Sequence, residues 1–152
     1  MREAAGQLTF ISFADLFDYF AKQCEGAALS LDSKIHGASP PFAPFDSAIA
    51  QVVDREKQLA NMFADYVIKG PKTLLSTRIQ YTLPKTYLRK PASTGHGIRQ
   101  LERINREIED ELREQANKIA GQEAQQKLAL IAQQINSMNR EISKIRLSVR
   151  DI

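Results

Sequence analysis

Few of the 152 residues are of types that do covalent chemistry: one cysteine, Cys24, and two histidines, His36 and His96. A lone cysteine excludes an intrachain disulfide framework and any cysteine-rich zinc site. Ser93-Thr94-Gly95-His96-Gly97 places hydroxyls near an imidazole. A nucleophilic triad needs three groups held by a scaffold, and no orienting acid lies close in sequence, so these residues read as loop formers. The stretch "KGPKT" lacks the glycine spacing and the following helix of a phosphate loop. Cys24 falls on an apolar helix face and reads as a small buried hydrophobe. No catalytic residue and no cofactor is expected.

Charge is the next candidate, because the net charge of +3 hides a segregated pattern. Residues 66–101 contain Lys69, Lys72, Arg78, Lys85, Arg89, Lys90 and Arg99 and no acid. Residues 1–65 carry −4, residues 102–123 carry −3, and residues 124–152 return to +3. With Tyr66, Tyr81, Tyr87 and His96 nearby, the seven cations could track phosphates and stack on bases, which makes a nucleic acid or another anionic surface one expected partner. No zinc finger, defensible helix-turn-helix or RNA-binding sheet motif accompanies them. The plainer reading is that the block neutralises acidic helices or an acidic partner surface.

These residues need elements to position them, and hydrophobic spacing supplies candidates. Phe13, Leu16, Phe17, Phe20, Cys24, Ala27, Ala28 and Leu31 step by threes and fours, the mark of a helix face. Ser12 stands where an N-cap is needed, with Asp15 three residues on. Gly37 and "SPPFAP" end that helix. A second helix opens at Asp46 or Ser47, buries Ile49, Val52, Val53, Leu59, Ala60, Phe63 and Val67, and ends at Gly70-Pro71. "PKTLLSTRIQYTL" is expected as a short third helix. Residues 84–97, with Pro84, Pro91, Gly95 and Gly97, read as a basic linker.

From Ile98 onward there is no proline. Leu101, Ile104, Ile108, Leu112, Ala116 and Ile119 form a drifting stripe that stops before Gly121. A strict seam follows: Leu128, Ile131, Ile135, Met138, Ile142, Ile145, Val149 and Ile152. Burying these eight side chains is worth on the order of 10–20 kcal/mol before entropy, so the seam needs a partner. The partner is the 98–120 helix folded back, the first two helices, or the seam of another copy. Leu130 and Leu147 lie off the seam and widen the apolar face, which suits a bundle. The arms are similar in length and opposite in charge, which suits a hairpin turning near Gly121, while one long helix stays open because a lone glycine is tolerable inside it.

Residues 13–69, two helices with "DREKQLANMFADY" on the second, weakly resemble the helix pair of ferritin-like proteins. That resemblance implies a carboxylate metal site with Glu25 on the first helix and Glu56 on the second. The Glu-x-x-His pattern fails here, because Leu59 stands where the imidazole belongs. Without the resemblance, Glu25 and Glu56 read as solvated helix-face charges.

The expected fold is an all-α helical bundle with an N-terminal helical region (1–83), the linker (84–97) and a C-terminal hairpin or coiled coil (98–152). The expected role is non-enzymatic: self-association, or docking of another helical protein, through apolar helix faces and above all the seam. "LTFISFA", soon followed by Asp15 and Asp18, is too short for a signal peptide or a membrane span, so a cytoplasmic protein is expected.

Overall fold

A computed structural model describes residues 2–4, 7–35, 43–84 and 94–148, with side chains described in 12–32, 47–79 and 97–148. Eight elements follow in order: strands β1 (Arg2–Ala4) and β2 (Gln7–Ser12), helices α1 (Phe13–Ile35), α2 (Ala43–Lys69) and α3 (Lys72–Leu75), strand β3 (Arg78–Pro84), and helices α4 (Thr94–Lys118) and α5 (Gln122–Ser148). The fold is an all-α bundle of four long helices with a small sheet at its start. No described helix is long and apolar enough to cross a membrane.

Helix ends follow local chemistry. Ser12 caps α1, its Oγ accepting the Asp15 N–H at 3.3 Å. At the end of α2 the Gly70 N–H donates to the Tyr66 carbonyl at 2.8 Å. A Cβ on Gly70 would run into that same oxygen, so the close approach requires glycine. The α4–α5 turn is made at Gly121, whose φ of 101° a side chain resists. Gln125 then reaches back from α5, its Nε2 donating to the Ile119 carbonyl at 2.9 Å. A hairpin, not one long helix, is therefore what residues 98–148 form.

Three boundaries differ from expectation. Helix α2 begins at Ala43, ahead of Asp46, because Pro44 is tolerated in a first turn whose N–H groups have no helical partner. Helix α4 begins at Thr94, inside the expected linker, so Gly95 and Gly97 are helical and Gly97 is buried. The third difference is the sheet. The expected third helix stops at Leu75, and "RIQYTLP" becomes β3. It pairs antiparallel with β2, Phe10 opposite Tyr81 and Ser12 opposite Arg78, with a one-residue irregularity between them. Strand β1 pairs on the other side, Arg2 opposite Thr9. The overlooked signal is period-two spacing with β-branched and aromatic residues in both "QLTFIS" and "RIQYTLP".

The core runs along the bundle in two clusters. One gathers Phe13, Leu16, Phe17, Phe20, Leu59, Phe63, Leu74, Ile108, Leu112, Leu128, Ile131 and Ile135 from all five helices. The other gathers Ala28, Leu31, Ile49, Val52, Ile98, Leu101 and Ile142 at the opposite end. Helices α1 to α3 and the hairpin of α4 and α5 thus share the core. The seam's partners are the first two of the three considered: α4 folded back, and α1 and α2.

Candidate functional site

Between the two apolar clusters lies a layer to which each long helix contributes one polar side chain. Helix α1 offers Cys24, α2 Glu56, α4 Asn105 and α5 Asn139, all of them buried. Asn105 Nδ2 donates to Glu56 Oε1 at 2.7 Å and to Asn139 Oδ1 at 3.1 Å. Asn139 Nδ2 donates to the Glu102 backbone carbonyl at 3.0 Å. Glu56 Oε2 and Asn105 Oδ1 are buried without a hydrogen-bond partner. Burial raises the Glu56 carboxyl from its ordinary 4.5 to about 8, against the opposing effects of the Asn105 amide and the Cys24 thiol. Burial also pushes the Cys24 thiol well up, and the facing Glu56 carboxyl adds to it. A thiol held protonated is a poor nucleophile. This layer is not built for covalent chemistry at Cys24.

The expectation of a solvated Glu56 is therefore overturned. Its helix face, Ile49, Val52, Val53, Leu59, Ala60 and Phe63, closes around it, since position 56 falls in the gap between 53 and 59 on the same stripe. Glu25 is exposed, as expected of a helix-face charge, so the two carboxylates of the ferritin-like alternative do not converge. The residue of α1 that meets Glu56 is Cys24. Among the described residues no group of three or more His, Cys, Asp or Glu side chains is placed to hold a metal.

The seam is not an open surface. Leu128, Ile131, Ile135 and Ile142 are fully buried, and Met138 and Ile145 partly so, all against the chain's own helices. Val149 and Ile152 lie outside the described residues. The seam was expected to bind a partner because its spacing demands burial; the rest of the chain meets that demand. Leu130 and Leu147, which lie off the seam, are about half exposed.

The described members of the basic block fall into two groups. Lys69, Lys72 and Arg78 are exposed near the end of α2, whereas Arg99 is exposed near the start of α4. The shared clusters put those regions at opposite ends of the bundle, about 20 Å apart over four helical turns. Lys85, Tyr87, Arg89 and Lys90 lie outside the described residues, as do the side chains of Tyr81 and His96.

At the Lys69 end, α2, Pro71 and α5 enclose an open cleft of about 720 Å³. Met62, Tyr66 and Pro71 give it an apolar floor, and Asp65, Lys69 and Lys127 supply charge. Lys127 Nζ lies over the Tyr66 ring, 5.3 Å from its centroid. A smaller hollow of about 280 Å³ continues from Pro71 and Lys127 to Leu130. Ile68, on the same turn of α2 as Asp65 and Lys69, is 77% exposed. Nothing in the sequence pattern singled out this surface, because Ile68 is off the apolar stripe and single exposed apolar residues are common. Comparison of the chain with protein-family models, with curated proteins and with solved structures gives no match.

Proposed function

We propose that this protein is a non-enzymatic, self-associating helical bundle that docks a second copy of itself at the cleft between α2 and α5. The observation that carries the reading is Ile68, left in solvent on the turn of α2 whose Asp65 and Lys69 line a cleft with Met62, Tyr66 and Pro71. The seam is consumed inside the fold, so association has to use apolar side chains outside the core, and of the four large ones exposed among the described residues Ile68 and Leu130 lie at this end. The surface is self-complementary in charge as well. Asp65 and Lys69 sit one turn apart on α2, so two antiparallel copies would set each acid against the other's base, as a two-fold contact requires. Burying Ile68 and its surroundings supplies the drive, and the charges select the orientation.

Light scattering on a sizing column tests this with wild type and Ile68→Asp. The wild type is expected to elute with the mass of a dimer or larger, and Ile68→Asp as a monomer with an unchanged melting temperature, since Ile68 contributes nothing to the core. A wild type that stays monomeric at the highest accessible concentration would exclude self-association and leave the cleft to another helical protein.

A further inference from the structure

The two unpartnered atoms in the central layer belong to the two side chains that already face each other. The Asn105 amide donates one N–H to Glu56 Oε1, and the atoms left over are the carboxyl's other oxygen, Oε2, and the amide's own oxygen, Oδ1. A carboxylic acid and a primary amide pair through a closed ring of two hydrogen bonds, N–H to carbonyl and O–H to carbonyl. One arm of that ring is present at 2.7 Å, and a single proton on Oε2 is the piece that completes the other.

The orientation of the amides is fixed by the network. A backbone carbonyl only accepts, so Asn139 must turn its Nδ2 to Glu102 O, which leaves Asn139 Oδ1 facing Asn105. Asn105 then must present Nδ2, and its second N–H serves Asn139 while the first serves Glu56. No amide donor remains for Glu56 Oε2 or Asn105 Oδ1, and the Cys24 thiol beside the carboxyl is only a weak donor. Two buried acceptors without a donor are costly, and an ionised carboxylate there would be costlier still.

We propose that Glu56 is a proton-binding site: its carboxyl carries a proton on Oε2 in the folded protein and closes an acid–amide ring with Asn105, so that the bundle takes up one proton from solvent as its four helices assemble. The surroundings agree. From α1 the facing group is the Cys24 thiol, itself held protonated; from α4 it is neutral Asn105; from α5, through Asn105, it is neutral Asn139. The nearest acids on α4, Glu102 and Glu109, lie a turn to either side and are paired with Arg146 and Arg113. Among the described residues no cation forms an ion pair with Glu56. Burial acts in the same direction, raising the Glu56 carboxyl to about 8.

The consequence is a directional dependence of folding on pH. Below about 4.5 the carboxyl is protonated in both folded and unfolded chains, and its contribution is fully present. As the pH rises toward about 8 the unfolded chain gives up the proton and the folded one keeps it, so stability falls. Above about 8 both forms are ionised and the dependence ends.

Urea unfolding of the full chain across that window, for wild type and Glu56→Gln, tests the proposal. Gln at 56 supplies a permanent N–H where the acid supplies O–H, so it keeps the ring and removes the titration. The folding equilibrium constant of wild type is expected to fall by about tenfold per pH unit relative to Glu56→Gln, the signature of one proton. Parallel pH dependences of the two proteins would overturn the proposal. Should Glu56→Gln fail to fold, the infrared spectrum of wild type decides alone. A carbonyl stretch of a buried, protonated carboxyl at neutral pH, lost in alkali, supports the site, and its absence at neutral pH overturns it.

Discussion

Where α1 meets α2 the contact is made by rings. Phe17 lies 5.9 Å from Phe13, 5.8 Å from Phe63 and 6.2 Å from Tyr66, and Phe20 lies 5.5 Å from Phe63, all between centroids and all tilted. Where α4 meets α5, a ladder of polar side chains runs beside the apolar contact. Glu102 takes Arg146 Nε at 2.6 Å and also pairs with Ser143; Asn105 takes Asn139; Glu109 takes Asn136 Nδ2 at 3.1 Å; Arg113 reaches Gln133 at 3.5 Å. Apolar contact is non-directional, so rings supply cohesion without specifying which turn faces which. Hydrogen bonds have partners, and a hairpin slipped by one turn would leave Glu102, Asn105 and Glu109 buried against the wrong groups. One pair holds the bundle together, and the other fixes how it is aligned.

The sharpest way to break that contrast is at the centre of the rings. Phe17→Ala removes a fully buried side chain that touches three other rings. It is expected to cost about 3–5 kcal/mol, a large share of the ~5–15 kcal/mol that holds a typical domain. Urea unfolding measures it directly. A loss below about 1 kcal/mol would mean that cohesion lies elsewhere, and the division between the pairs would fail.

The same contrast explains what could be read from the sequence. Ring and aliphatic positions repeat at helical spacing, so the faces of all four long helices, the cap at Ser12 and the turn at Gly121 were legible. Glu56, Asn105 and Asn139 stand on those same stripes, between 53 and 59, 104 and 108, and 138 and 142. Their phase was therefore visible, but a charge or amide on a stripe ordinarily marks its edge, and only packing from all four sides shows it to be the centre. The sheet was missed for another reason: its strands are short, and an apolar pair such as Leu74-Leu75 before "STRIQYTL" suits a helix as well as a turn into a strand. The α2–α5 cleft joins residues some sixty positions apart and has no local pattern at all.

On the ladder, Glu102→Ala is the next largest expected effect. Glu102 is nearly buried, whereas Arg146 keeps about a quarter of its side chain in solvent and can recover water when its partner goes. The loss is therefore set below that of a fully buried pair, at about 1–2 kcal/mol. A double-mutant cycle with Arg146→Ala is expected to return a coupling of about 1 kcal/mol, and Ser143→Ala should reduce the remainder. Strict additivity of Glu102→Ala and Arg146→Ala would show that the ladder is a crystal-like arrangement of neighbours without energetic coupling, and its role in alignment would fall.

The smallest expected effect separates the turn from both pairs. Gly121 adopts a φ of 101°, and a Cβ there meets nothing within 4 Å. Gly121→Ala therefore introduces backbone strain without a clash, at a cost of about 1 kcal/mol. Alanine also favours continuing α4 straight into α5, but the straight helix would expose Leu128, Ile131 and Ile135, whose burial outweighs a single residue's preference several times over. The variant is thus expected to keep the hairpin and the wild-type mass, with a melting temperature lowered by a few degrees. A doubled mass at low protein concentration would instead mean that the helices had opened and exchanged between two chains, and that alignment of α4 with α5 depends on the glycine rather than on the ladder.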